Sequence, residues 1–265
     1  MALNKNRIVV KVGTSTLTND IGQNNIREFE KLAEVLSDVQ NRGYEIILVT
    51  SGAIAIGANK LGLKEKPRDM RMKQACAAVG QSRMMTLYNH FFSEFDKTAA
   101  QILLNAEDIQ QEEKKENLSN TFEALLEHGI IPIVNENDSV SYTEIESEER
   151  LFGDNDKLSA VVAVLCRADM LVILSDIDGF YDKDPRFYRD AKLISRVDTI
   201  DESVYALAGG AGSRRGTGGM KTKLEAAELA VSQGISTLVM NGNDPSRLYD
   251  IFKGKKVGTL FAAKR

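Results

Sequence analysis

The sequence predicts an α/β protein: a three-layer α-β-α sandwich around a mainly parallel sheet. Two observations carry this. Short apolar runs rich in Val and Ile recur along the 265 residues, and amphipathic helical stretches lie between them. Runs apolar at nearly every position suit strands covered on both faces, as in a parallel sheet. Alternation of such strands with helices places helices on both sides of that sheet. Ligands of such a sheet bind beyond the carboxyl ends of the strands.

The strands are expected at residues 8–12 (IVVKV), 46–49 (IILV), 99–104 (AAQILL), 130–134 (IIPIV), 171–174 (LVIL) and 237–240 (TLVM). Between the first two, Phe29, Leu32, Leu36 and Val39 fall at helical spacing. Residues 110–116 (QQEEKKE) read as the solvated start of a helix. Residues 139–151 (SVSYTEIESEERL) alternate and then turn acidic, which reads as a β-hairpin or flap leaving the sheet. Leu158, Val161, Val162 and Leu165 form a second helical stripe, and Met220, Leu224, Ala227 and Val231 a third. No repeat or Pro/Gly/Ser linker divides the chain, so residues 1–265 are expected to form one domain.

Composition excludes several classes. Hydrophobic residues are 43% and charged residues 27%, an ordinary globular balance that rules out a disordered or collagen-like chain. Thirty-four basic against 38 acidic residues leave a net charge of −4, which gives no support to general nucleic-acid binding. Two cysteines, Cys76 and Cys166, in apolar stretches argue against a disulfide framework and for a reducing compartment. No apolar run reaches the roughly 18 residues of a membrane span, and the amino-terminal run is too short for a signal peptide. The expected location is the cytoplasm.

The chemistry-bearing residues sit just past the strands. The first strand ends in Lys11-Val12-Gly13-Thr14-Ser15, which offers an ammonium, backbone amides and hydroxyls. The second runs into Thr50-Ser51-Gly52-Ala53, either a serine cap or an anion site at a helix amino terminus. The fourth runs into Asn135-Glu136-Asn137-Asp138, four polar residues expected to lie outside the core. In Gly153-Asp154-Asn155-Asp156, two acids flank an amide; they could orient a substrate amine, hold catalytic lysines or approach Mg²⁺. The fifth strand leads into Ser175-Asp176-Ile177-Asp178-Gly179-Phe180-Tyr181, whose acids and aromatics suit a ribose and base. Last, Gly216-Thr217-Gly218-Gly219-Met220-Lys221-Thr222-Lys223 combines free amides, a helix dipole and ammoniums into a phosphate cradle. It is not a Walker A loop, because Met220 precedes Lys221, and it lacks the dinucleotide fingerprint. His90 and His128 are isolated, and neither zinc spacing nor a nucleophile elbow occurs.

Loops offering lysines from opposite ends of the chain suit phosphoryl transfer, which needs positioning and charge neutralisation more than covalent help. No histidine base is required if the attacking group is already a carboxylate.

The segments VVKVGTS, VTSGAIAIG, AAVGQSR, VNENDSV, FGDNDKLSA, LSDIDGFYDKDPR and GTGGMKTKLEAA, spread over residues 9–227, resemble the amino acid kinase family. Within it they are most similar to members that act on glutamate. The resemblance implies the family's fold and ATP-dependent phosphorylation of the γ-carboxylate of L-glutamate, the first step towards proline. It implies that Lys11 and Lys223 flank the ATP phosphates, that Asp156 holds those lysines, and that Asp154 lies nearby. Ser51, Asp138 and Asn155 would bind glutamate; Ser175 and Asp176 would contact the nucleoside. Thr217, Gly218, Gly219, Met220, Lys221, Thr222 and Lys223 would wrap the phosphates, with Mg²⁺ carried by the nucleotide and no metal site of the protein's own. Relatives are often inhibited by proline and form dimers or tetramers, so both are expected, with residues 142–150 a candidate for oligomer contact or closure over glutamate. Many relatives continue into a carboxyl-terminal module of the PUA type, which is expected to be missing beyond Phe261.

Overall fold

Every one of these apolar runs is a strand in the computed structural model, which describes residues 6–18, 25–65, 67–140, 155–208 and 219–263. The chain opens with β1 (Arg7–Val12), the single turn α1 (Thr14–Leu17) and α2 (Ile26–Asn41), then β2 (Glu45–Val49), α3 (Ala53–Lys60) and α4 (Met70–Glu94). It continues through β3 (Ala99–Leu104), α5 (Ala106–Gln110), α6 (Glu112–Glu127), β4 (Ile131–Glu136), α7 (Asn155–Leu165) and β5 (Met170–Ser175). The last part holds β6 (Arg196–Val197), α8 (Glu202–Ala208), α9 (Met220–Ser232), β7 (Ser236–Asn241), α10 (Leu248–Phe252) and β8 (Thr259–Phe261).

The strands form one sheet in the order β3-β4-β2-β1-β5-β7-β8-β6. The six long strands are parallel; β8 alone runs antiparallel to its neighbour β7. All six therefore end on one edge, where the polar loops are. The central strands alternate strictly between two cores. Val10, Leu48, Val172 and Leu238 face a layer built from Phe29, Leu32 and Leu36 of α2 and Met84, Tyr88 and Phe92 of α4. Val9, Ile47, Ile173 and Val239 face the other, built from Phe122 of α6, Leu158 and Val162 of α7, and Leu224 and Ala227 of α9. This is why the strands read as unbroken apolar runs.

Two short strands, β6 and β8, escaped the sequence pattern, because two or three residues carry no measurable period. Cys76 and Cys166 are buried, free thiols. Helices α3 and α4 meet backbone to backbone. A Cβ on Gly57 would stand 1.8 Å from the Cys76 carbonyl oxygen, and one on Gly80 1.8 Å from that of Ala53. No side chain fits at either position.

Candidate active site

Lys11 is one residue from the end of β1 and has the parity of Val9, so its side chain enters the layer of α7 and α9. There it meets Asp156, the second residue of α7, and Lys223, in the first turn of α9. The Lys11 Nζ lies 2.6 Å from Asp156 Oδ1, and the Lys223 Nζ donates to Asp156 Oδ2 at 3.1 Å. The Thr222 hydroxyl donates to the same Oδ2 at 3.0 Å. Asp156 is fully buried and each lysine only 6% exposed. Burial alone pushes the Asp156 carboxyl up, but Lys11 and Lys223 outweigh it and hold the group below its ordinary range. Among the described residues, two positive charges and one negative meet at the carboxyl edge of the sheet, a cationic centre. Such a centre attracts an anion, and its donors are aligned before that anion arrives.

Ser51 lies just past β2 and bridges to the first loop. Its hydroxyl donates to the Val12 carbonyl at 3.2 Å and lies 3.1 Å from the Thr14 hydroxyl. Gly52 has φ of +100° and leads into α3, with Thr14 packed where a Cβ would be. A left-handed residue at this point lets the chain turn directly from strand to helix, so that the first amides of α3 have no acceptor within the helix itself.

Asn155 opens α7 and is held by amides and carbonyls. Its Nδ2 donates both to the Thr50 carbonyl and, at 2.9 Å, to Asn135 Oδ1. Asn135 Nδ2 donates to Gln81 Oε1 at 3.0 Å. Beneath them the Thr50 hydroxyl bonds the phenol of the buried Tyr88 at 2.9 Å. The structure corrects the expectation that residues 135–138 all lie outside the core. Asn135 and Glu136 belong to β4, and Asn135 is 1% exposed. A buried amide is tolerated because Gln81 and Asn155 satisfy it. Gln81 is a member of this cluster that sequence reasoning does not single out; its polarity between apolar positions of α4 is the available signal. Beside them opens a cavity of about 500 Å³ lined by Gln81, Ser82, Asp138 and Ala53 among others. Asp138 stands at the wall of that cavity.

On the other side of β1, Ser175 ends β5, buried, and its hydroxyl donates to Asp176 Oδ1 at 3.1 Å. Both therefore stand at the same sheet edge as Lys11. The aromatics of that loop divide. Phe180 is 2% exposed and packs on Phe261, so it belongs to the core and cannot face a base. Tyr181 is partly exposed and its hydroxyl donates to Asp178. Gly219 caps α9 and Met220 begins it, half-buried. Lys221 points to solvent, 3.9 Å from Glu225, away from the Asp156 centre. Asp154, Thr217, Gly218 and residues 142–150 lie outside the described residues.

Residues 6–241 match the Amino acid kinase family. The chain belongs to that family. Among relatives of this amino acid kinase, the glutamate 5-kinase of Clostridium perfringens is 54% identical over 98% of this chain and 96% of its own length. The glutamate 5-kinase of Caldanaerobacter subterraneus is 48% identical over 96% of this chain and 67% of its own. Among solved structures, the carbamate kinase of Giardia lamblia bound to AMP-PNP superposes with a TM-score of 0.68 at 13% identity, covering 98% and 99% of the two chains. At that identity the likeness is one of fold.

Family membership implies ATP as phosphoryl donor. Among the described residues no group of three His, Cys, Asp or Glu could cage a metal ion, and no helix is long and apolar enough to cross a membrane.

Proposed function

We propose that the chain phosphorylates the γ-carboxylate of L-glutamate with ATP, giving γ-glutamyl phosphate and ADP, the opening step of proline synthesis. The observation that carries the chemistry is the buried Lys11–Asp156–Lys223 centre. A glutamate γ-oxygen bonds to the γ-phosphorus while the bond from that phosphorus to the β-bridging oxygen breaks, and ADP leaves with the electron pair. No proton must be removed from the attacking carboxylate, so no base is needed. Charge gathers on the phosphoryl oxygens and on the leaving oxygen, and Lys11 and Lys223 neutralise it. Asp156 holds the two ammoniums apart and in place. Ser51 with the first amides of α3 faces the glutamate γ-carboxylate, and Asp138 takes the ammonium. Ser175, Asp176 and the start of α9 serve the nucleotide. Mg²⁺ would be carried by the nucleotide and would add to the neutralisation of phosphate charge that Lys11 and Lys223 supply.

The test is an ATP- and Mg²⁺-dependent assay with hydroxylamine, which traps an acyl phosphate as a hydroxamate, comparing L-glutamate, N-acetylglutamate and L-aspartate. Hydroxamate from L-glutamate alone is the expected result. Hydroxamate from another of the acids overturns the substrate assignment and leaves the lysine roles standing.

A further inference from the structure

The resemblance to amino acid kinases gives Thr222 to the ATP phosphates, but the donors of this residue are turned elsewhere. Its hydroxyl lies 3.0 Å from Asp156 Oδ2 and 2.9 Å from the Gly219 carbonyl, and its amide lies 3.2 Å from that same carbonyl. A hydroxyl carries one hydrogen, whereas an ionised carboxylate and a backbone carbonyl only accept. That hydrogen is therefore already shared between two acceptors. A phosphate oxygen would be a third, and Thr222 could serve it only by giving up Asp156.

The hydroxyl suits Asp156 well. The carboxylate is fully buried, its Oδ2 also receives the Lys223 ammonium at 3.1 Å, and the Lys11 Nζ lies 2.6 Å from Oδ1. Both lysines reach it on long side chains with several rotatable bonds, which fix the plane of a carboxylate poorly. Thr222 reaches it on a short, β-branched side chain, stiff at χ1, from the first turn of α9. Being neutral, it adds a donor without adding charge. Asp156 keeps that donor when Lys223 turns a hydrogen towards a phosphoryl oxygen.

We propose that Thr222 is a positioning residue: its hydroxyl holds the Asp156 carboxylate, and through it the two ammoniums, in the orientation that meets the transferring phosphoryl group. The proposal rests on the roles given above to Lys11 and Lys223 in the phosphorylation of L-glutamate.

The experiment compares the unmodified chain with Thr222→Val and Thr222→Ser in the hydroxamate assay. Valine keeps the branched shape and removes the hydroxyl; serine keeps the hydroxyl and removes the methyl. Thr222→Val should lower kcat about five- to tenfold, the equivalent of one neutral hydrogen bond in the transition state. KM for ATP and for L-glutamate, and the Kd of ADP by calorimetry, should stay within about twofold. Thr222→Ser should hold kcat within about twofold of the natural chain. Thermal unfolding checks that each variant is folded at the assay temperature, and Thr222→Ala decides if the valine variant is not. A raised KM for ATP with weaker ADP binding and kcat held would hand the hydroxyl to the phosphates. A lower Tm with kcat held would reduce it to a bond within the first turn of α9. A serine variant as slow as the valine one would trace the effect to the methyl group. Each of these results overturns the role of Thr222. Failure of the unmodified chain to form hydroxamate from L-glutamate, or a Lys223→Ala variant that keeps its kcat, overturns the reading beneath it instead.

Discussion

Lys11 and Asp156, 145 positions apart in the sequence, form a 2.6 Å ion pair with almost no exposure to water. Lys223 shares the same carboxylate from the opposite oxygen. Asp156→Asn therefore removes the carboxylate charge that both buried ammoniums share. Losing one partner of a buried ion pair costs about 3–5 kcal/mol. Calorimetric unfolding should show a fall in Tm of about 10 °C, since about 2–4 °C accompanies each kcal/mol in a chain of this size. An unchanged Tm would mean that water reaches the centre.

Lys223→Ala removes one of the two groups assigned to the transferring phosphoryl. It should lower kcat about 10²–10³-fold, the effect of losing one preorganised donor, with little change in KM for glutamate. Steady-state rates with each substrate varied in turn would show this. A variant whose KM rises while kcat holds would assign Lys223 to ground-state binding instead.

The depressed ionisation of Asp156 fixes the sign of a pH effect. Its folded-state pKa lies below the unfolded value, so its contribution to stability is complete above the ordinary carboxylate range. The contribution is lost as pH falls through the folded pKa. The stability gap between the natural chain and Asp156→Asn should hold near neutrality and narrow below about pH 4. Urea midpoints measured across that interval for both proteins give the comparison; a gap that widened on acidification would contradict the sign.

Arg7 provides a contrast at the opposite edge. It begins β1, four residues and about 13 Å from Lys11 along the strand. Its guanidinium is 3% exposed, bonds Glu45 at 2.7 Å and Glu123 at 2.6 Å, and donates to the Cys166 carbonyl. Arg7→Met should lose about 3 kcal/mol of stability, because buried acceptors and carboxylates remain behind. Below the unfolding temperature its kcat and both KM values should match those of the natural chain. A kinetic change at constant fold would show that the two ends of β1 are coupled.

Much of this was legible in the sequence. The six long strands announce themselves because both their faces are buried, and the polar stretch just past each apolar run marks the site. Lys11 stood out as a charge in an apolar strand and Lys223 as one beside a glycine-rich loop, whereas Asp156 lay among other polar residues and its pairing with the two lysines came from the family resemblance. What the sequence hid was pairing at a distance. Asn135 looked like loop because its partners, Gln81 and Asn155, lie 54 and 20 residues away. Phe180 looked available to a ligand because the strand that covers it, around Phe261, is only three residues long. Lys221 and Lys223 look equivalent in a motif, yet on a helix residues two apart face different ways; one reaches Asp156 and the other solvent.

The contact between Gly57 and Gly80 has a mechanical meaning. Gly80 immediately precedes Gln81, and Gly57 lies one turn into the helix that starts just after Ser51. With two backbones touching and no compressible side chain between them, α3 and α4 cannot slide independently. Two walls of the cavity beside Asp138 are thereby machined as one part, and the spacing between them is set by peptide atoms rather than by rotamers. Substitutions elsewhere in the core can repack around that part without changing the gauge of the chamber. A single methyl group at either glycine would reset it.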